Sequence, residues 1–420
     1  MSDGPQAVNQ PRPEPGLRAL ATASWLRKPS TQTVLAALSL AGFEARVVGG
    51  AVRNTLLGHQ VDDIDIATPA QPEAVIRIVE EAGLKAVPTG LKHGTITVVS
   101  EGDAFEVTTL REDLSTDGRH ADVRFTTDWE GDASRRDFTI NALYCSADGQ
   151  LFDPLGGHAD LIARRVRFIG KPETRIREDY LRILRFFRFF AQYGSGAIDP
   201  DGVGASVRLR RGLRRLSGER LRQELLKLVV APRALDALQA LFEAGLFGEI
   251  VPAVPRLNHL ARLCGIDRAG DAALRLAVLT VSCREDADRV AKRLRLSNYE
   301  LSVLQLVAAS HNVLSPPDLQ TVKRWMYKCD REVVVARLMA TRSSSFRLLS
   351  ETEWDEIFAL TETWTPPEFP LRGSHALDYG AQPGPQVGTA LKHVETIWIE
   401  SGFAMSRDAL TTALKAALKQ

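Results

Sequence analysis

Residues 44–68 read EARVVGGAVRNTLLGHQVDDIDIAT, and this stretch decides the fold that we expect. Residues 44–48 are typical of a short strand, and Gly49-Gly50 before a helical run over residues 51–57 indicates a sharp turn between the two. A strand, a glycine turn and a helix start expose backbone N–H groups to which a phosphate can bind. The sequence therefore predicts a phosphate site at this turn.

Two carboxylates, Asp63 and Asp65, follow Arg53 by ten and twelve residues and belong to the next predicted strand, residues 63–68. Residues i and i+2 of a strand face the same way, so the two side chains project side by side. Like charges this close repel unless a divalent cation lies between them, and oxygen ligands favour Mg²⁺ or Mn²⁺ over zinc. We predict a metal site suited to nucleotidyl transfer. For the pair taken alone, two solvated aspartates at a strand end are the alternative.

The composition is that of a globular protein with several domains. The 420 residues are 44% hydrophobic and 25% charged, which suits about two to four domains. The four cysteines lack CxxC spacing, so neither a zinc site nor a disulfide framework is indicated and a reducing cytoplasm is expected. No apolar run is long enough to span a bilayer, and no membrane association is predicted.

Local patterns divide the chain into four parts. We predict a Pro-rich disordered arm over residues 1–18 and an α+β head with a small mixed sheet over residues 19–157. A helical neck over residues 158–250 and a helical body and tail over residues 251–420 follow. The strongest helix predictions after the head are Ile176 to Tyr193, Ser217 to Val230 and Pro232 to Ala244.

The net charge of +1 conceals a basic region. Between Arg175 and Lys227, twelve Arg and one Lys stand against six acids, which is a surplus of seven positive charges. A local basic stripe on a nearly neutral protein indicates a docking surface for a polyanion. Neutralisation of the stripe by acids elsewhere in the fold is the alternative.

The octet RRDFTINA, residues 135–142, is the second group of candidate ligand contacts. Arg136 is suited to clamp a triphosphate, and Asp137 or Asn141 to accept or donate a hydrogen bond at ribose hydroxyls. A salt-bridged strand start is the alternative, and it suits Arg135 better than it suits the whole octet. Glu106, on a strand that we expect beside the aspartate strand, is either a third carboxylate or the partner of an arginine.

Four residues recur every third position in the predicted neck helix: Asp179, Arg182, Arg185 and Arg188. On a helix they form one slowly turning stripe, with apolar residues beside it facing the core. Three stacked arginines repel one another unless an anionic or hydrogen-bonding group faces them, and a nucleotide is such a group.

Taken together, these segments resemble the class II tRNA nucleotidyltransferases, the CCA-adding enzymes of the polymerase β superfamily. The resemblance rests on six motifs in order over residues 45–230: GGAVR at 49–53, DID at 63–65, RRDFTINA at 135–142, DPLGG at 153–157, Glu178-Asp179 with Arg182, and SGER at 217–220. Lys92-His93-Gly94-Thr95 and Glu106-Val107-Thr108-Thr109 are similar to the CCA-adding branch rather than to bacterial poly(A) polymerases.

The resemblance implies template-independent addition of CCA to the tRNA 3′ end from CTP and ATP, with release of pyrophosphate, by two-metal transfer with Mg²⁺. It implies that Asp63 and Asp65 hold the metal, that Asp179 and Arg182 read the base with support from Arg185 and Arg188, and that the incoming nucleotide is contacted by Gly50, Arg53 and Arg136. The segment 111–128 corresponds to the flexible loop of complete CCA-adding members.

One departure from the family pattern is Asn54, where the family usually has Asp. The alternatives to CCA addition are a bacterial poly(A) polymerase and a non-catalytic RNA-binding protein on the same fold. A glycosyltransferase with a DxD metal site is a further alternative, but it gives no account of the arginine stripe.

Overall fold

The computed structural model describes residues 15–116, 121–267, 270–310, 317–344 and 349–418. It divides the chain into two compact units, Met1–Ile250 and Val251–Gln420. Residues 1–14 of the predicted disordered arm lie outside the described residues. Its last four residues do not, because helix α1 begins at Pro15, so the prediction of disorder is wrong for residues 15–18.

All strands of the described residues lie in the first unit. They are β1 (Arg46–Val48), β2 (Asp65–Thr68), β3 (Lys85–Gly90), β4 (Thr95–Ser100), β5 (Asp103–Thr109), β6 (Arg111–Thr116), β7 (Ala121–Phe125), β8 (Tyr144–Cys145) and β9 (Leu151–Phe152). Seven of them form a mixed sheet in the order β3-β4-β5-β2-β1-β8-β9, and β6 pairs with β7 in a separate two-stranded sheet.

Strand β2 is the centre of the sheet and carries the predicted metal site. It runs antiparallel to β1 and parallel to β5, which confirms that the strand of Glu106 is its neighbour. The register pairs Asp65 with Glu106. Because paired residues of neighbouring strands project to the same face, these two carboxylates lie beside each other.

The helices of the first unit surround this sheet and continue after it. They are α1 (Pro15–Thr22), α2 (Ser24–Arg27), α3 (Pro29–Leu40), α4 (Gly50–Leu56), α5 (Pro72–Glu81), α6 (Trp129–Ser134), α7 (Gly157–Ile162), α8 (Pro172–Glu178), α9 (Leu181–Tyr193), α10 (Pro200–Leu209), α11 (Gly218–Val229), α12 (Ala234–Glu243) and α13 (Phe247–Ile250). Proline at the first helical position starts several of them, where its missing N–H costs nothing.

The predicted helix from Ile176 to Tyr193 is wrong in one respect, because it is broken. Helix α8 ends at Glu178, and Asp179 has the extended conformation, with φ −152° and ψ 110°. The carboxylate of Asp179 then accepts the backbone N–H of Leu181 at 3.0 Å, which satisfies one of the free donors at the start of α9.

Helix α9 is joined to the head by a buried aromatic cluster. The ring centroid of Phe138 lies 5.0 Å from those of Phe168 and Phe189 and 6.3 Å from that of Phe186. Such tilted contacts stabilise beyond the apolar area that they bury. The cluster fixes α9 against the turn that follows Arg136.

The second unit is helical throughout its described residues. Its helices are α14 (Leu257–Ile266), α15 (Ala272–Thr280), α16 (Arg284–Leu294), α17 (Asn298–Ser310), α18 (Leu319–Lys328), α19 (Arg331–Ser344), α20 (Glu351–Thr363), α21 (Gly373–Asp378), α22 (Pro385–Glu400) and α23 (Arg407–Ala417). One core cluster is centred on Trp354 and another on Trp398. Among the described helices of the whole chain, none has the length and apolarity to cross a membrane.

Candidate active site

The carboxylate pair lies at the start of β2. The strand begins at Asp65 rather than at Asp63 as predicted, and Asp63 is exposed in the preceding segment. Burial raises the pKa of Asp65 to about 6, and the negative charges of Glu106 and Asp63 act in the same direction, against Arg136. Asp65 is therefore a carboxylate whose charge the protein alone does not fully compensate.

Backbone geometry explains the glycine pair that precedes α4. Gly49 has φ +73°, a region that L side chains rarely adopt, and it turns β1 into the helix. A Cβ built on Gly49 would lie 3.8 Å from Nη1 of Arg136, and one on Gly50 would lie 3.9 Å from Nη2 of Arg53. Two arginines thus flank the turn, and the bare backbone of both glycines leaves space beside them.

Arg53 is a buried cation with neutral partners. It is 7% exposed. Its Nη1 donates to Asn141 Oδ1 at 2.5 Å, its Nη2 donates to the hydroxyl of Tyr193 at 2.7 Å, and Asn54 Oδ1 accepts from Nε and Nη2. Burial lowers the pKa of Arg53. A cation in this environment is stabilised by a bound anion.

Arg135 and Arg136 share one buried carboxylate. Asp132, on α6, is 1% exposed and lies 2.8 Å from Nη2 of Arg135 and 3.0 Å from Nη2 of Arg136. Burial favours the neutral acid, but the two guanidinium groups outweigh it and hold the pKa of Asp132 below its usual value. The interpretation of Arg135 as a salt-bridged residue is thereby supported.

The predicted base-reading pair lies at the junction of α8 and α9. Asp179 is paired with Nη2 of Arg220 at 2.6 Å, and Nη1 of Arg182 donates to Glu178 at 2.5 Å and to the carbonyl of Arg175 at 3.1 Å. The prediction that Asp179 shares a helix with Arg182 is wrong, since Asp179 precedes α9. Both residues nevertheless face the same cavity.

Arg185 and Arg188 carry protein counterions. Arg185 contacts Asp137 at 2.6 Å, and Nε of Arg188 donates to Glu224 at 2.5 Å. The anionic groups that we expected to face the stacked arginines are, at Arg185 and Arg188, protein carboxylates from distant segments. Asp137 accepts hydrogen bonds from Arg185 and Asn141, and its contact with the ribose stays a prediction.

These groups surround a cavity of about 430 Å³ in the first unit. It contains Asp65, Gly50, Arg53, Arg136, Asp179, Arg182 and Arg185 of the predicted site, and its further lining residues are Gly49, Arg135, Asp137, Asn141, Leu181, Phe189 and Arg220. Asp63 and Arg188 are not among the lining residues. Every other lining arginine pairs with a carboxylate, whereas Arg53 has none within the part of the chain that the structure describes.

Comparison with known proteins identifies the family. Residues 45–167 match the model of the poly A polymerase head domain, and residues 197–257 match that of the probable RNA and SrmB-binding site of polymerase A. The chain is 36% identical over 380 residues to the mitochondrial CCA tRNA nucleotidyltransferase 1 of Danio rerio, covering 89% of this chain and 87% of that protein. The chain belongs to the CCA tRNA nucleotidyltransferase family. The resemblance inferred from the six sequence motifs is confirmed.

Other members of the CCA tRNA nucleotidyltransferase family extend this match in sequence and in structure. The CCA-adding enzyme of Latilactobacillus sakei is 30% identical, with 91% of this chain and 96% of that protein covered. The crystal structure of the Bacillus stearothermophilus CCA-adding enzyme in complex with CTP superimposes with a TM-score of 0.74 at 28% identity, covering 93% of this chain and 98% of that one. The match confirms the predicted α+β head followed by helices.

Several residues that line the cavity or bind its lining arginines were not predicted from the sequence. Asp132, Tyr193 and Phe189 had no assigned role, and Arg220 was noted as part of a motif without one. Asp132 lies three and four residues before the arginine pair that it binds, and this spacing on a short helix was an available signal. Tyr193 contacts Arg53 across 140 residues of sequence, and no local pattern indicates such a contact.

Proposed function

We propose that this protein adds CCA to the 3′ end of tRNA from CTP and ATP and releases pyrophosphate. The observation that carries the proposal is one cavity whose wall combines the strand carboxylate Asp65, the glycine turn with Arg53 and Arg136, and the pair of Asp179 and Arg182. A metal-binding carboxylate, a phosphate site and a base-reading pair are the three parts that template-independent nucleotidyl transfer needs.

We assign the phosphate end of the nucleotide to Gly50, Arg53 and Arg136. Arg53 supplies a buried positive charge that no carboxylate neutralises in the described structure, and Arg136 presents guanidinium donors beside the glycine turn. Hydrogen bonds between guanidinium groups and phosphate oxygens are charge-assisted and stronger than neutral ones. The departing pyrophosphate is thus held by fixed donors.

We assign the base to Asp179 and Arg182. Cytosine and adenine each offer an amino donor beside a ring-nitrogen acceptor, which suits one carboxylate acceptor and one guanidinium donor. Within the described residues, the hydrogen bonds of Arg182 use both protons of Nη1 and one of Nη2. Nε–H and one Nη2–H are then left for the base. Uracil and guanine present a carbonyl acceptor beside a ring N–H donor, which is the reverse order. A good bidentate contact favours the correct base over the wrong one by about 1–3 kcal/mol of binding free energy.

Asp63 and Asp65 would hold Mg²⁺ at the reacting end. No group of three or more His, Cys, Asp or Glu residues among the described positions is arranged to hold a metal. Two observations support a Mg²⁺ site here. Asp65 lies next to Glu106 and its negative charge is not fully compensated by the protein, and both aspartates supply the oxygen ligands that Mg²⁺ prefers. Phosphates and water would be the further ligands. Bound metal would lower the pKa of the tRNA 3′-hydroxyl and neutralise charge on the phosphates.

Arg185 and Arg188 have a supporting role in this proposal. Their ion pairs with Asp137 and Glu224 fix α9 against the octet and against α11. Fixed side chains lose less conformational entropy when the nucleotide binds. We expect these two arginines to position the base site rather than to contact the base.

The tRNA backbone is assigned to exposed arginines of the basic region. Arg210–Arg215 form a 3₁₀ helix in which Arg210, Arg211, Arg214 and Arg215 are exposed. Gly212 packs against the ring of Tyr180, so this segment is fixed next to Asp179. These positive charges lie on the surface, where RNA phosphates can approach.

The predicted flexible loop is an antiparallel pair of strands, β6 and β7, as far as it is described, while residues 117–120 lie outside the described residues. We infer, from the resemblance, that it serves the change from C to A addition; Phe125 of β7 packs against Gly94 and ties the strand pair to the start of β4. The four free cysteines support a reducing compartment, and we propose the cytoplasm.

The test uses tRNA that lacks its terminal CCA, with labelled CTP and ATP offered separately and together. CCA addition predicts two C residues from CTP alone and a following A when both nucleotides are present. Extension by ATP alone into a homopolymer would identify a poly(A) polymerase instead. Binding of RNA without transfer would identify a non-catalytic relative.

A further inference from the structure

We propose that Asp132 and Tyr144 are positioning residues that hold Arg136 in the orientation that binds the nucleotide phosphates. The proposal rests on the proposed function. Neither residue lines the cavity, so neither can touch the nucleotide as a catalytic residue does. Both lie directly behind the guanidinium group that we assign to the phosphates.

Asp132 supplies the charge that orients the two arginines. Its Oδ1 accepts from Nε of Arg135 at 2.9 Å, and its Oδ2 accepts from Nη2 of Arg136 at 3.0 Å. The carboxylate is almost fully buried on α6. Because this buried charge cannot turn towards water, its arginine partners are confined to one geometry.

Tyr144 completes the support by binding both Asp132 and Arg136. Its hydroxyl donates to Oδ2 of Asp132 at 2.8 Å and lies 3.3 Å from Nε of Arg136, from which it accepts. Its ring is fully buried and packs against Trp129 and Phe152, with centroid distances of 5.5 and 6.0 Å. The hydroxyl is therefore a fixed point in the head.

The remaining donors of Arg136 point to the phosphate site. Nε is directed at Tyr144 and one Nη2 proton at Asp132. Nη1 has no hydrogen-bond partner in the part of the chain that the structure describes, and it lies beside Gly49. An arginine side chain loses up to about 2 kcal/mol of rotamer entropy when it is immobilised. Asp132 and Tyr144 remove most of that cost before the nucleotide arrives, so they act on affinity through Arg136.

The first test compares Tyr144→Phe with the wild-type protein in C and A addition. We expect the KM for CTP and for ATP to rise about tenfold, which corresponds to a loss of about 1.4 kcal/mol in binding. We expect kcat to stay nearly unchanged, because the lost interaction is present in both the ground state and the transition state. A folding defect lowers the concentration of active enzyme and hence kcat, but it does not change KM. Tyr327→Phe is the matched control, since its hydroxyl donates to Glu395 in the second unit at 2.6 Å.

The second test is a double-mutant cycle with Arg136→Ala. If Tyr144 acts through Arg136, Tyr144→Phe has no further effect on KM once Arg136 is removed. An unchanged KM in Tyr144→Phe, or an equal effect with and without Arg136, overturns the positioning role. A wild-type protein that transfers no nucleotide overturns the proposed function itself, so the two failures are distinguishable.

Discussion

Replacing Asp65 with Asn is expected to remove nucleotide transfer and to stabilise the metal-free protein. Burial and the neighbouring carboxylates raise the pKa of Asp65 from 3.8 to about 6. One pKa unit corresponds to about 1.4 kcal/mol, so the ionised carboxylate lowers the free energy of unfolding by about 3 kcal/mol at neutral pH. Asn has the same shape without the charge, and the variant should recover most of this amount.

The pH dependence of the effect follows from the sign of the shift. The folded state binds the proton of Asp65 more tightly than the unfolded state, so the wild-type protein loses stability as pH rises from 3.8 through about 6. The difference between Asp65→Asn and wild type should therefore grow over this window and stay constant above it. Urea unfolding followed by circular dichroism in EDTA, between about pH 5 and about pH 8, measures it.

Added Mg²⁺ should stabilise the wild-type protein and leave Asp65→Asn unchanged, because binding to the folded state alone raises the free energy of unfolding. Asp62→Asn is the control, since Asp62 is exposed, lies in the same segment and does not line the cavity. We expect that variant to stay within about 0.5 kcal/mol of wild type. An Asp65→Asn protein that is no more stable than wild type in EDTA at neutral pH would refute the reasoning.

Three further predictions concern binding. Arg53→Ala should raise the KM for CTP and ATP by similar factors, because it removes a phosphate interaction that is common to both; a change confined to one nucleotide contradicts the assignment. Asp179→Ala should relax the preference for CTP and ATP over UTP and GTP in single-turnover assays. Arg220→Ala should relax it partially, because Arg220 forms an ion pair with the carboxylate of Asp179 at 2.6 Å. Wild-type selectivity in both variants would show that the base is read elsewhere. Replacing Arg211 and Arg215 with Gln should weaken tRNA binding. The slope of log affinity against log salt, measured by filter binding, should fall by about 0.7–0.9 for each phosphate that the protein no longer neutralises. An unchanged slope would exclude this segment as the docking surface.

The sequence was informative where local chemistry decides the structure. The glycine turn, the strands on either side of it and α4 were predicted to within two residues, because a positive φ at Gly49 and apolar alternation are local properties. Strands β3, β6 and β7 were missed. Much of β3 is solvent-exposed and β6 reads REDLST, so neither has the apolar alternation of a buried strand, and each exists because a partner strand pairs with it.

The site shows the same limit at the level of side chains. The three-residue spacing correctly placed Arg185 and Arg188 on one helix, but their partners Asp137 and Glu224 are 48 and 36 residues away in sequence. Spacing along one helix gives no information about charges brought in by another segment. The break at Asp179 was missed for a related reason, since no Gly or Pro marks it and a side-chain cap stabilises it instead.

The polar contacts between head and neck set where related proteins can be recombined. Arg53 binds Tyr193 and Asp137 binds Arg185, so both pairs cross the boundary predicted from sequence at residue 157. In a chimera joined at residue 157, each of these pairs would combine side chains from two different parents, and their hydrogen bonds and ion pairs could be lost. A junction at Val251, where the chain divides into compact units, keeps every cavity residue from one parent. Exchange of the second unit would therefore leave unchanged every residue to which we assign nucleotide choice.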